Sequence, residues 1–244
     1  PIYPEVNPLM RKPIALVVGC LLLLCGCKAQ PLSAATGEPV PAGSDIPART
    51  PVESSEPQFA TPAATDPLAI IDTSAGVMYA VLYPRLAPLA VRNFVTQAQL
   101  GYYNGTAFHR VVPGFAVQGG DPAGTGESLE SIWSHPSQTE NNGKLHHYAG
   151  ALCTAVKTGT RHDNCSQFYV VTSPQGNLDD AALQKLGEAG MRDVVVDAYR
   201  QAGGAPWLDF AGDTVFGQLY AGLDVADRIG AVPVDEEGHP TQPV

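Results

Sequence analysis

The chain has 244 residues, 44% of them hydrophobic, enough to bury one sizeable core; the apolar residues are spread unevenly, so one globular domain with appendages is expected. A formal net charge of -10 weighs against a nucleic-acid partner, because phosphate recognition needs clustered Lys and Arg. Cys20, Cys25 and Cys27 lie in or beside one N-terminal apolar run, which leaves Cys153 and Cys165 for the body of the protein, and no metal-ligand spacing emerges.

From Met10 the chain reads Met-Arg-Lys-Pro and then an apolar run from Ile14 to Gly26, a pattern that resembles a secretory signal and is short for a transmembrane helix, which needs about 20 residues. The run closes on Leu24-Cys25-Gly26-Cys27, which resembles the lipobox of bacterial lipoproteins. That resemblance implies cleavage before Cys27, lipidation of Cys27 and tethering to the outer face of a bacterial membrane. Residues 28–67 are rich in Pro, Ala, Thr, Ser and Glu, with proline at 31, 39, 41, 47, 51, 57, 62 and 67. Such a composition offers little apolar surface to offset ordering entropy, so a partly extended, disordered spacer is expected, with the folded domain spanning 68–244.

Ala69 to Asp72 and Val77 to Tyr83 are rich in Val, Ile and Tyr and are separated by Thr73-Ser74-Ala75-Gly76, which predicts a β-hairpin. Ala87 to Leu100 places Leu89, Val91, Phe94, Val95 and Ala98 at near-helical spacing, with Pro88 in the first turn and Gly101 at the end, which predicts an amphipathic helix. Leu178 to Glu188 and Arg192 to Gln201 show helical spacing again, interrupted at Gly190 and closed by Gly203-Gly204-Ala205-Pro206.

Between the first helix and those later ones stands Phe108-His109-Arg110-Val111-Val112-Pro113-Gly114-Phe115-Ala116-Val117-Gln118-Gly119-Gly120-Asp121, within the longer block 101–121. It resembles the central signature of the cyclophilins. Gly124-Thr125-Gly126, Gly150-Ala151-Leu152, Ser166-Gln167-Phe168-Tyr169, Trp207-Leu208-Asp209 and Val215-Phe216-Gly217 follow in the family's order, so that the resemblance spans about Ala69 to Val232. It implies a mainly β fold, a closed eight-stranded antiparallel β-barrel capped by two helices, to which this chain adds a helical insertion at about 174–206.

The same resemblance implies a cofactor-free peptidyl-prolyl cis/trans isomerase, with Arg110, Phe115 and Gln118 catalytic and Ala116, Gln167, Tyr169, Trp207 and Leu208 binding substrate. The expected clients are proline-containing unfolded or nascent secreted proteins. Trp207 matches the position whose indole meets cyclosporin in sensitive members, so binding of that drug is expected. A monomer is the expected state.

Elementary chemistry agrees with these roles. Rotation about an X-Pro bond needs no acid, base or metal; it needs a grip on the pyrrolidine ring and a fixed donor for the twisted amide. Arg110 is always charged and carries a rigid fork of N–H groups, Gln118 offers an acceptor and two donors, and the aromatic residues suit a proline ring. By the same logic His109 is assigned a structural hydrogen-bonding role. His146 and His147 are read as unable to share one ion, since neighbours in a strand face opposite ways. A groove asparagine of many members stands as Val156, and a pocket histidine as Asp213. A disulfide between Cys153 and Cys165 and two buried free thiols both remain open, as do a lid and simple decoration for the insertion. A proline-binding module without turnover is the alternative to an enzyme.

Overall fold

The computed structural model describes residues 49–128, 130–133, 135–156 and 164–244. The signal-like run, Cys27, residues 28–48 and most of the loop before Cys165 lie outside the described residues. Among the described residues, no helix is long and apolar enough to cross a membrane.

The domain opens on the predicted hairpin. Strands β1 (Leu68–Thr73) and β2 (Gly76–Leu82) pair antiparallel, with Thr73 opposite Gly76, so the loop is Ser74-Ala75. Thr73 Oγ1 closes it by donating to the Gly76 carbonyl at 2.7 Å, and Gly76 takes φ 132°, open to glycine at no steric cost. Helix α1 (Pro88–Gln99) follows with Pro88 at its first position. Its free amides at Leu89 and Ala90 donate to the Glu140 carboxylate at 3.0 and 2.8 Å, a cap supplied from 50 residues away. Strands β3 (Arg110–Val112), β4 (Ala116–Gly119), β5 (Ala151–Thr154), β6 (Phe168–Val171) and β7 (Val215–Ala221) complete one antiparallel sheet in the order β1-β2-β7-β5-β6-β4-β3.

The sheet curls, and alternation along its strands separates two faces. Val111, Val117, Val170 and Leu152 stand opposite one another across β3, β4, β6 and β5, all fully buried. They join Phe94 of α1 and Val225, Ala226 and Ile229 of helix α5 (Leu223–Gly230) in the main core. The opposite face carries a second cluster containing Ala116, Cys153, Tyr169, Val171 and Val215.

The expectation of a closed eight-stranded barrel is corrected to seven strands among the described residues, with β1 and β3 as edges. The reason is visible at β3. Its outer edge is met by the C-terminal chain, with Val111 N–H donating to Gly238 O at 2.8 Å and Phe108 N–H to Val244 O at 3.0 Å. Pro240 and Pro243 in that chain have no N–H to give, so it cannot extend those bonds into a ladder. Helix α5 packs against β2, β3 and β4 and covers the core where the sheet stays open.

The insertion forms helices α2 (Asp180–Glu188) and α3 (Asp193–Ala202), as the spacing predicts, and then a short helix α4 (Pro206–Ala211) that the spacing did not indicate. Leu183, Val195, Ala198, Tyr199 and Ala202 bury themselves with Tyr148, and Val52 and Phe59 pack on the same cluster. Gly203 and Gly204 bring the end of α3 against residues 147–149; a Cβ at either would collide with the backbone of Pro174 or His147.

Val52 and Phe59 belong to the stretch expected to be a spacer. Over residues 49–62 the structure differs from that expectation. Glu56 and Gln58 are each 3% exposed. Gln58 clamps the backbone of His146, donating to its carbonyl at 2.8 Å and accepting its N–H at 2.6 Å, and it reaches Gln218 Oε1 at 2.9 Å. Directed hydrogen bonds therefore hold this arm alongside the apolar contacts of Val52 and Phe59.

Candidate active site

Arg110 opens β3, directly opposite Gln118 of β4, and Gln118 is in turn opposite Tyr169 of β6, itself opposite Cys153 of β5. Residues opposite one another project from the same face, so the register alone lines up Arg110, Gln118, Tyr169 and Cys153 in one row across four strands. The turn Pro113-Gly114, with Gly114 at φ 70°, sends Phe115 onto this same face.

The row grades from solvent to interior. Arg110 is exposed and has no hydrogen-bond or ion-pair partner among the described residues. Gln118 is half-buried; its Nε2 donates to Gln167 Oε1 at 2.9 Å, and the buried Gln167 donates onward to the Ser128 carbonyl at 2.8 Å. The sequence placed Gln118 beside the guanidinium, and the register agrees, but its hydrogen bond goes to Gln167. Tyr169 is 8% exposed and its hydroxyl donates to Asp213 Oδ2 at 3.2 Å. Burial, with Cys153 and Asp213 close by, pushes the Tyr169 phenol well up, so it stays a neutral donor.

Phe115, Leu208, Tyr83 and Leu86 pack, partly buried, against the cluster that contains Ala116 and Tyr169. Trp207 stands 51% exposed with its ring 5.8 Å from that of Phe115. The structure therefore brings all eight expected groove residues to one face of the sheet: a cation at the rim, an amide pair beside it, and an apolar floor with aromatic walls. Such a surface grips a small ring and offers N–H donors next to it.

Neighbouring motifs have support roles. Asp121 is fully buried and accepts from the backbone of Ala123, Thr125 and Gly126 at 2.9, 3.0 and 2.7 Å, which folds the Gly124-Thr125-Gly126 loop. Burial acts to raise its carboxyl, but these bonds outweigh it and hold the carboxyl below its ordinary value. His109, expected to form structural hydrogen bonds, is buried with neither ring nitrogen in a well-formed hydrogen bond among the described residues, and desolvation, only partly offset by the nearby Asp121 and Gln167, lowers its pKa. Cys153 and Cys165 are both buried and are not joined to each other, so the disulfide alternative is not what the structure has.

The two adjacent histidines also depart from expectation. His146 and His147 do not face opposite ways; both Nδ1 atoms reach one carboxylate, that of Asp209, at 2.8 and 2.6 Å. Asp209 was part of the Trp207-Leu208-Asp209 motif without a role of its own. An acid standing next to two groove residues was the signal that could have drawn attention to it. Among the described residues one group of prospective metal ligands gathers, Asp235, Glu237 and His239, all exposed on the loop beside β3. There Asp235 already accepts from the amides of Glu237 and His239 at 3.0 and 2.8 Å, which accounts for the cluster as a turn.

Comparison with known proteins follows the same residues. The sequence model of the family described as cyclophilin type peptidyl-prolyl cis-trans isomerase/CLD matches residues 68–244. A Staphylococcus saprophyticus protein named for peptidyl-prolyl cis-trans isomerase is 41% identical over 171 residues, 70% of this chain and 84% of that one. A Staphylococcus aureus protein of the same name is 37% identical over 175 residues, 72% and 86% of the two chains. The crystal structure of a Cryptosporidium parvum cyclophilin type peptidyl-prolyl cis-trans isomerase, determined in the presence of the dipeptide Ala-Pro, is similar with a TM-score of 0.56. It is 26% identical and covers 72% of this chain and 92% of its own.

Proposed function

The chain belongs to the cyclophilin-type peptidyl-prolyl cis-trans isomerases, and from that membership we propose that Arg110 drives rotation of X-Pro bonds in proteins outside the cytoplasm. The observation that carries this reading is the row Arg110, Gln118, Tyr169, with an exposed guanidinium, unpaired among the described residues, beside an apolar floor.

Twisting the amide removes its resonance, which accounts for a barrier of about 18 to 20 kcal/mol. The proline nitrogen becomes pyramidal and regains a lone pair, and the carbonyl oxygen leaves the plane it shared with that nitrogen. A donor fixed at this position stabilises the twisted state more than either planar one, and only such differential binding raises the rate. Four to five decades of acceleration require about 6 kcal/mol of it. The Arg110 fork supplies the donors, since among the described residues none of its N–H groups is already engaged. Phe115, Ala116, Tyr169 and Leu208 hold the pyrrolidine ring, and Gln118, steadied by Gln167, keeps its oxygen for the substrate backbone.

The clients we propose are unfolded or nascent secreted proteins that expose proline. The Ala-Pro dipeptide named with the Cryptosporidium parvum structure supports a proline-peptide ligand. The signal-like segment and Cys27 support a lipid-anchored, extracytoplasmic protein. The exposed Trp207 indole supports binding of cyclosporin.

The deciding experiment follows cis-to-trans exchange of a short X-Pro peptide with the chain from Arg49 onward, alongside Arg110→Ala. Acceleration that the substitution abolishes supports the reading. A folded protein that captures proline peptides without accelerating them would instead be a binding module.

A further inference from the structure

Helix α4 supplies Trp207 and Leu208 to the groove, yet it is only six residues long. A helix so far below the roughly 12 residues at which isolated helices become marginal cannot hold its own orientation. Its position must come from outside contacts, and four of its hydrogen bonds end on one side chain. Asp209 follows Leu208 and turns away from the groove into a buried polar cluster, its side chain 10% exposed.

Each carboxylate oxygen is used twice. Oδ2 accepts from Tyr199 Oη at 2.7 Å and lies 2.8 Å from His146 Nδ1. Oδ1 accepts from the His147 backbone amide at 3.0 Å and lies 2.6 Å from His147 Nδ1. A carboxylate only accepts, so both Nδ1 atoms carry the proton in this arrangement. The donors come from two separate places: the histidines from the segment before β5, and Tyr199 from α3 of the insertion.

The donors are themselves held. Gln58 of the arm holds both the N–H and the carbonyl of His146, and Glu56 lies 3.7 Å from His146 Nε2 while accepting from Arg192 of the insertion at 2.9 Å. The His147 ring stacks on Tyr169 at 6.5 Å and 15°, so the cluster meets the groove floor a second time. Arm and insertion thus both end on the residue that sets α4.

We propose that Asp209 is a positioning residue of the isomerase: through His146, His147 and Tyr199 it fixes α4, and with it Trp207 and Leu208, against Phe115 and Tyr169. The insertion is then a brace for one wall of the groove, neither a lid nor decoration. This inference rests on the reading of the groove given above.

The test uses the full chain with Trp133→Phe, which leaves Trp207 as the single indole, and compares Asp209→Asn, Tyr199→Phe and Val195→Ala. Val195 is 1% exposed in the same insertion and makes no bond to Asp209, so its truncation loosens packing alone. Asp209→Asn and Tyr199→Phe are expected to raise KM for an X-Pro peptide by about tenfold with kcat within about twofold, because they misplace a binding wall and not the donor. Both should also shift Trp207 emission and its iodide quenching, and Val195→Ala should alter neither. Tyr199→Phe with unchanged KM and unchanged quenching overturns the proposal, as does Val195→Ala matching it in both. If Asp209→Asn does not fold, Tyr199→Phe decides alone. If the parent protein accelerates nothing, the groove reading fails, and the quenching comparison still decides whether Asp209 positions α4.

Discussion

Arg49 and Asp227 stand 178 positions apart and form a bidentate ion pair, Nε to Oδ2 at 2.8 Å and Nη2 to Oδ1 at 2.7 Å. The remaining donors of Arg49 reach the carbonyls of Thr172, Ser173 and Ala202 at 3.0, 3.1 and 3.3 Å. One guanidinium therefore joins the arm to the chain after β6, to the end of α3 and to α5. Both side chains are mostly buried, at 15% and 11% exposure, so removing one partner leaves the other charge desolvated and unpaired. Arg49→Ala is expected to cost about 3 kcal/mol of stability, read from denaturant midpoints. A chain started at residue 66 loses this pair and Gln58 together and should unfold earlier still. Equal midpoints for the two shortened or substituted forms and the parent would show that the arm contributes nothing.

The Asp209 carboxyl gives the fold an acid-sensitive contribution. Burial acts to raise its pKa, but the bonds from His146, His147 and Tyr199 outweigh that and hold it down to about 2, from the ordinary 3.8. A group depressed in the folded state adds stability that is complete above its unfolded pKa and is lost as pH falls towards the folded one. Here that is about 2 kcal/mol, present at pH 5 and mostly gone by pH 2. The measurement is the difference in urea midpoint between parent and Asp209→Asn at a series of pH values, which cancels the other carboxylates. The gap should narrow from pH 5 to pH 2.5; a gap that is flat across this window would remove Asp209 from the acid response.

Much of this architecture can be read before folding, and the exceptions have physical causes. Hairpin β1-β2 and helices α1, α2 and α3 follow from alternation and spacing because each packs one continuous apolar face. Arg110, Gln118 and Tyr169 are different. Periodicity would class Tyr169 as core, which by burial it is, and only the resemblance of its motif assigns it a binding role. The arm 49–62 escaped composition because Arg49 and Gln58 hold it by directed bonds, and a tally of large apolar residues does not register those. His146 and His147 misled because the rule of opposite faces belongs to strands. Residues 146–149 form a single bridge, Tyr148 to Gly204, and leave both rings free to turn to one acid.

The thiols offer a further test. Cys153 is fully buried beneath Tyr169, and burial pushes its thiol well up, so it is both inaccessible and protonated at neutral pH. Cys165 is buried as well, with its Sγ 3.8 Å from the Ser128 carbonyl. In the chain from Arg49, without reductant, a thiol-specific reagent should label neither cysteine in the folded protein and both after denaturation. Failure to label either one in denaturant would establish the bridge that the structure lacks between them.

The proposed mechanism makes its sharpest demand at Arg110. The side chain is exposed and makes no ion pair or hydrogen bond among the described residues, so replacing it should leave the melting temperature within a degree or two. Lysine keeps the charge but presents a compact ammonium on a flexible stem, without the planar fork that can meet a carbonyl oxygen and a pyramidal nitrogen together. If positioned donors carry the rate, Arg110→Lys should lose about a hundredfold in kcat/KM, or about 2.7 kcal/mol of transition-state stabilisation. If charge alone suffices, lysine should retain most of the activity and only Arg110→Ala should fail. Following X-Pro exchange for both variants, with melting curves beside them, separates a fixed fork from a field, because the two substitutions differ in geometry and agree in leaving the fold intact.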